Sequence, residues 1–162
     1  VSDPPRDPRI GIGHDIHRLR EGGRLVVGGV VVAEGISADA HSDGDVAIHA
    51  LVDALLGAIG AGDIGEHFPN TDPRWKDADS TQFLSHAMTL VRRQGYRVAN
   101  ADVSVLAERP RLKAFKPRMV ERLSALVGAP VNVKAGTNER CDAVGRGEAI
   151  ACHAAVLLVC AS

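Results

Sequence analysis

A chain of 162 residues is long enough for one domain that buries roughly 70% of its unfolded surface. Apolar residues make up 45% of it but aromatics only 3%, so the core must be built from Ala, Val, Leu and Ile. The 19 basic and 20 acidic residues leave a net charge of −1, which argues against the clustered basic surface of a nucleic-acid groove, and no apolar run approaches the roughly 20 residues that span a bilayer.

Residues 1–8 are Pro-rich and polar, lack the apolar stretch of a signal peptide, and read as a flexible lead-in to a single domain over 9–162. Cys141, Cys152 and Cys160 are odd in number and have no C-x-x-C spacing, which argues for a reducing cytoplasm over a disulfide framework. The segment RIGIGHDIH alternates as a strand does. Ile10, Ile12 and Ile16 fall on one side; Gly11, Gly13, Asp15 and His17 fall on the other. This pattern predicts that Asp15 and His17 project together from the non-core side, on a face the two glycines leave uncovered. LVVGGVVV (25–32) reads as a second strand, with Gly22-Gly23 as the turn before it.

Residues 45–59 carry Ile48, Leu51, Val52, Leu55 and Ile59 at helical spacing, and Asp45, His49 and Asp53 form a polar stripe beside them. The next helix is expected to start at an Asp79 N-cap with Gln82 three residues on, to bury Phe83, Leu84, Ala87, Met88 and Val91, and to stop at Gly95. Residues 98–107 alternate as a strand. Pro117 opens a third helix that buries Val120, Leu123 and Val127 and ends at Gly128. VNVKA is a short strand. EAIACHAAVLLVC is apolar on both parities, which predicts a strand covered on both faces, with His153 a satisfied core residue. The order β-β-α-α-β-α-β-β implies an α/β (α+β plait) fold: one mixed sheet with helices packed on one face.

Two imidazoles and a carboxylate form the ligand set of a catalytic zinc that keeps one position open. Asp15, His17 and His49 supply that set, and Asp53 could accept the other ring N–H of His49 from one turn further along. Singly, a D-x-H pair or a helical His is more often solvated; the odds rise because each sits off its element's expected core side. In AHSDGD, Ser42 or Asp43 either caps the helix or, with His41 and free backbone N–H groups, meets a phosphate. Residues 62–73 form a polar loop that is either a connection or a cover over substrate. The loop AGTNERCDAVGRG is either a solvated hairpin or a site where Glu139 holds a hard cation and an Arg neutralises phosphate. Cys141 lies in it with no base nearby and is given no role, and His67 and His86 are isolated.

RIGIGHDIH, AHSDGDVAIHALVDALLGAIGAGDIGEHFPNTDPRWKDADS and VNVKAGTNER…GRGEAIAC resemble, in order and spacing, the 2-C-methyl-D-erythritol 2,4-cyclodiphosphate synthase family of the non-mevalonate isoprenoid pathway. The resemblance runs from about Arg9 onward. No nucleotidyltransferase domain precedes it, so the monofunctional form is expected. It implies a homotrimer whose sheets meet around a threefold axis, with an active site at each subunit interface. It also implies zinc on Asp15, His17 and His49, transition-state stabilisation by His41 and Thr137, and phosphate contact by Ser42. Asp63 and Gly65 match a substrate-contacting turn; Phe68, Pro69, Asn70, Thr71 and Asp72 match a flexible loop beside it. Ala107, Arg111, Leu112 and Lys113 match the segment that receives the cytidine nucleotide. Ala135, Gly136, Thr137 and Asn138 lie with them, and Glu139 matches the ligand of magnesium or manganese. Arg146 matches an Arg beside a central cavity that holds an isoprenoid diphosphate in some members. Asp142 and Ala143 depart from the family's Gly and aromatic there, so that ligand is not carried over. A zinc-dependent phosphohydrolase of nucleotide diphosphates and a non-catalytic trimer binding isoprenoid diphosphates are the alternatives.

Overall fold

The computed structural model describes residues 7–161; residues 1–6 of the expected lead-in lie outside them. Strand β1 (Arg9–Val27) is followed by β2 (Val30–Ala38), helix α1 (Val46–Ala58), the short α2 (Ile64–His67), a 3₁₀ turn (Pro73–Trp75) and α3 (Thr81–Arg93). Then come β3 (Tyr96–Leu106), α4 (Lys116–Val127), β4 (Val131–Gly136), the short α5 (Asp142–Gly145) and β5 (Ala149–Cys160). The five strands make one mixed sheet in the order β2-β1-β5-β3-β4, antiparallel throughout except for the β3–β4 pair.

β1 is long because it serves two neighbours in turn. Arg9 to Arg18 pair with β5, and from Leu19 onward the strand pairs with β2. The expected turn at Gly22-Gly23 is instead an irregularity inside β1, where the register shifts between Glu21 and Arg24 and both glycines have positive φ. The hairpin turn lies at Gly28-Gly29, inside the run read as a second strand. Val27 pairs with Val30, so the loop has two residues, both at positive φ, as the tight hairpin turn compatible with strand twist requires. Two glycine pairs flanked by alternating residues were the competing signals, and the second won because only there do the flanking valines close a ladder.

Asp45 ties that hairpin to the helix layer. Fully buried, it caps α1 by accepting the Ala47 and Ile48 N–H groups, and it also accepts the Gly28 and Gly29 N–H groups at 2.8 and 2.6 Å. Every residue of α1 except Asp53 and Gly57 is buried, so the helix runs through the core and not along its surface.

The side of β1 that faces this core is the reverse of the sequence expectation. Gly11, Gly13, Asp15 and His17 share the face of Val156, Ala154, Cys152 and Ile150, their β5 partners, which is the helix-covered face. The glycines do not leave that face open. A Cβ at Gly13 would stand 1.9 Å from the Ala50 carbonyl oxygen and one at Gly11 1.8 Å from that of Ala54, so their missing side chains are the seat of α1. Ile10, Ile12 and Ile16 point the other way and are 77%, 81% and 49% exposed.

β5 is covered on both faces only at its start, where Ala149 and Ala151 pack with Val144 of α5. Further on its second face is open: Ala155 is exposed, and so is His153, which stacks on His14 at 4.5 Å. In α4, Met119, Leu123 and Val127 are the buried residues while Val120 lies partly buried, and Gly128 ends the helix in the left-handed conformation. All three cysteines are free.

Candidate metal centre and phosphate pocket

The last turns of the β1–β5 ladder hold Asp15 and His17 one strand-repeat apart, and the first turn of α1 brings His49 over them. The seating of α1 on Gly11 and Gly13 sets that separation. Asp15 Oδ2 lies 2.8 Å from His17 Nε2 and 3.0 Å from His49 Nδ1, and the two ring nitrogens are 3.1 Å apart. Ligand atoms about 2.0 Å from a tetrahedral zinc are about 3.3 Å from each other, so the three edges fit one small cation with a fourth position free. They are the one cluster of three such ligand atoms among the described residues.

Burial works to raise the Asp15 carboxyl, but hydrogen bonds and charge from His17 and His49 outweigh it and hold the group well below the usual carboxylate range. His49, only 8% exposed, is pushed down by burial and more strongly up by Asp15. Both shifts record the hydrogen bonding and charge attraction between Asp15 and the imidazoles beside it.

The cluster forms part of the wall of a cleft of about 430 Å³. His41, Ser42, Gly65 and Asn70 also line it, so much of the sequence-predicted phosphate and turn set is gathered here. His41 Nε2 lies 3.2 Å from the Asp72 carbonyl, which it meets as donor. Asp63 caps α2 by accepting the Glu66 N–H and stands exposed beside the cleft wall. Phe68, the first residue of the expected loop, lines this cleft and anchors the loop's start: it is 8% exposed, stacks on Phe83 at 4.3 Å and meets Trp75 edge-on. Pro69, Asn70 and Thr71 are the exposed part of that loop, and Asp72 is held by a two-pronged contact from Arg74.

The residues expected to receive the nucleotide gather elsewhere. Ala107, Arg111, Leu112, Lys113, Ala135, Gly136 and Thr137 line a second cavity of about 300 Å³, which shares no lining residue with the first. Thr137 donates to Glu139 Oε1 at 2.9 Å, Asn138 donates to Asp142, and Arg146 makes two 3.0 Å contacts to Glu148. His41 and Thr137, expected to act on one phosphorus, thus belong to different cavities of the chain.

Asp53 does not take the role foreseen for it. Its carboxylate accepts the Ile64 N–H at 2.7 Å, and the His49 nitrogen turned away from Asp15 meets Ser80 Oγ at 2.8 Å and Ser42 Oγ at 3.2 Å. Ser80 escaped notice because the helix start was placed on Asp79. Asp79 does accept the Thr81 N–H, but Ser80 occupies the N-cap position and makes no side-chain cap. A Ser directly before a helix was the signal available.

The fold and this cluster define a mixed-sheet α/β protein with a candidate metal site beside an anion-sized cleft. Residues 8–159 match the model of the YgbB family, and the chain belongs to that family. It is 54% identical over 155 residues to the bifunctional enzyme IspD/IspF of Novosphingobium aromaticivorans, covering 94% of this chain and 40% of that protein. It is 52% identical over 153 residues to the 2-C-methyl-D-erythritol 2,4-cyclodiphosphate synthase of Xanthomonas oryzae, covering 93% of this chain and 94% of the relative. A solved 2C-methyl-D-erythritol-2,4-cyclodiphosphate synthase with CDP bound superposes with a TM-score of 0.85 at 42% identity, covering 93% of this chain and 99% of that one.

Proposed function

We propose that the chain converts 4-diphosphocytidyl-2-C-methyl-D-erythritol 2-phosphate to 2-C-methyl-D-erythritol 2,4-cyclodiphosphate and CMP, in isoprenoid biosynthesis. The observation that carries this reading is the triangle of Asp15, His17 and His49 donor atoms, with 2.8–3.1 Å edges, beside the cleft lined by His41 and Ser42. An oxygen of the 2-phosphate attacks the β-phosphorus, the bond from that phosphorus to the bridging oxygen breaks, and the electron pair leaves on CMP. No water or protein nucleophile enters the balance.

Both reacting phosphates are anions, so the chain's task is to bring them together and offset their repulsion. Asp15, His17 and His49 would hold zinc, and Glu139, an exposed hard-oxygen donor, would hold magnesium or manganese together with substrate phosphates. Such cations supply Lewis-acid stabilisation of phosphate oxygens. Ser42, and His41 on turning from the Asp72 carbonyl, donate to the phosphate in the first cavity, and Thr137, on turning from Glu139, donates from the second, where Arg111 and Lys113 meet the nucleotide's diphosphate. Gly65 and Asn70, which line the cleft, would face the erythritol unit, with Asp63 exposed beside them.

Two half-sites in one chain are reconciled by a homotrimer in which the first cavity of one subunit meets the second of its neighbour. The uncovered apolar face of the sheet, with Ile10, Ile12 and Ile16, supports an assembly of this kind. Arg146 pairs with Glu148 and Ala143 offers no aromatic ring, so we assign no isoprenoid diphosphate to the central cavity. Among the described residues no helix is long and apolar enough to cross a membrane; the three free cysteines support action in a reducing cytoplasm.

Phosphorus NMR of the protein with this substrate, zinc and magnesium tests the reading. CMP together with two coupled resonances of a cyclic diphosphate is the expected result. CMP with open-chain phosphates would make it a phosphohydrolase, and zinc-loaded protein without turnover would make it a binding trimer.

A further inference from the structure

We propose that Ser80 and Asp43 are positioning residues that fix the tautomer of His49, so that its Nδ1 lone pair faces Asp15 and His17. The inference rests on the reading of that cluster as a metal site. Ser80 is fully buried and stands at the N-cap of α3, where a Ser side chain ordinarily accepts a backbone N–H of the first turn. Here it does not. Asp79 accepts the Thr81 N–H at 2.8 Å, and the Ser80 hydroxyl turns away from the helix to lie between His49 and Asp43.

For the neutral imidazole that binds a metal, the proton count on this chain of three side chains leaves one arrangement. A carboxylate can only accept, so the short Ser80 Oγ–Asp43 Oδ1 contact takes the single Ser80 hydroxyl proton. The Ser80 oxygen can then only accept from His49 Nε2, 2.8 Å away, which places the ring proton on Nε2 and leaves Nδ1 bare. Bare Nδ1 lies 3.0 Å from Asp15 Oδ2 and 3.1 Å from His17 Nε2, at the third corner of the ligand triangle. Ser42, at 3.2 Å from Nε2, already accepts the Gly44 N–H, and with the ring proton directed to Ser80 its own hydroxyl proton is free for a phosphate oxygen.

Asp43 is itself held in place. Its Oδ1 accepts the Asp45 N–H at 3.1 Å, its Oδ2 accepts the Ser80 N–H at 3.0 Å, and its own N–H reaches the Ala78 carbonyl. The relay thus joins the approach to α1 and the start of α3 to the one ligand that the helix layer contributes. Partners that orient a metal-bound His in this way are each worth about 10–100-fold in metal affinity when removed.

The test is zinc affinity, measured by chelator competition, for wild-type protein, Ser80→Ala, Ser80→Thr and Asp43→Asn, each checked for an unchanged melting temperature. Ser80→Ala is expected to lose about 10–100-fold in zinc affinity and Asp43→Asn to lose less, while Ser80→Thr, which keeps the hydroxyl, restores wild-type binding. The d–d spectrum of the cobalt(II)-loaded Ser80→Ala variant is expected to shift as the imidazole loses its fixed orientation. Wild-type affinity and an unshifted spectrum in Ser80→Ala would overturn the relay while leaving the metal site intact. Failure of the wild-type protein to bind zinc would overturn both. Should Ser80→Ala not fold, imidazole ¹⁵N NMR of zinc-loaded wild-type protein decides: a metal-shifted Nδ1 with a protonated Nε2 on His49 is expected, and coordination through Nε2 would overturn the proposal.

Discussion

Asp15 is the side chain on which the site's chemistry turns. A carboxylate largely removed from water is stabilised by the hydrogen bonds and positive charge that two neighbouring imidazoles offer, directly or through a shared cation. Removing one imidazole breaks the triangle. His49→Ala is therefore expected to abolish stoichiometric zinc binding and to lower CMP release about 100-fold or more, since a bound cation contributes several kcal/mol of charge stabilisation. Metal content by plasma mass spectrometry checks this, and full zinc occupancy in the variant would remove His49 from the ligand set. Glu139 is a separate case. It stands exposed in the other cavity's loop with its carboxylate against Thr137, so Glu139→Gln should leave zinc content unchanged while flattening the dependence of rate on magnesium. A magnesium titration superposing on wild type would refute that role. At this scale the sequence was informative, because D-x-H in an alternating segment places two ligands on one face whichever face that is. Ser80 and Asp43 were not legible, because their role depends on which of two adjacent residues, Asp79 or Ser80, takes up the capping work.

The elements hold these side chains through contacts that leave little room for adjustment. α1 sits so close to β1 that the Ala50 and Ala54 carbonyls occupy the space of absent glycine side chains. Gly13→Ala would put a methyl group where a helix carbonyl stands, and backbone cannot swing aside as a side chain can. A destabilisation of about 3 kcal/mol is expected, at the upper end of overpacking effects, together with weakened zinc binding as His49 lifts away from Asp15. Urea denaturation with and without chelator separates the two effects; a wild-type midpoint would mean that α1 is not seated on this glycine. The same contact explains why the face assignment of β1 could not be read from the residues. Isoleucines opposite glycines suggest a core row opposite a bare row, but a glycine row is also what a close-packed helix needs. Helix periods, the Gly128 stop and the succession of strands and helices were legible because each follows from local spacing. The hairpin turn was not, since Gly22-Gly23 and Gly28-Gly29 carry the same local signal. What distinguishes them is distant: Asp45 receives both N–H groups of the second pair.

Across the molecule, the metal-side and nucleotide-side cavities share no lining residue, and the sheet has a face with three exposed isoleucines. These features are connected. An apolar sheet face left in water is costly, and covering it with identical faces around a rotation axis brings unlike edges of neighbouring subunits together. If the site is shared in this way, the metal half comes from one subunit and the nucleotide half from the next. Two inactive variants should then rescue each other. His49→Ala destroys the metal half and leaves the nucleotide half intact; Glu139→Ala does the reverse. In trimers reassembled from an equal mixture, an interface is whole when its metal half comes from the Glu139→Ala chain and its nucleotide half from the His49→Ala chain. Random assembly meets both conditions at about one interface in four, so about a quarter of wild-type activity should return although each variant alone is inactive. Activity that stays at the level of the separate variants, in a mixture whose subunit exchange is established by native mass spectrometry, would place both halves within one subunit. Recovery near one quarter would be difficult to obtain any other way, because neither variant carries a complete set of groups and only a composite interface can supply it.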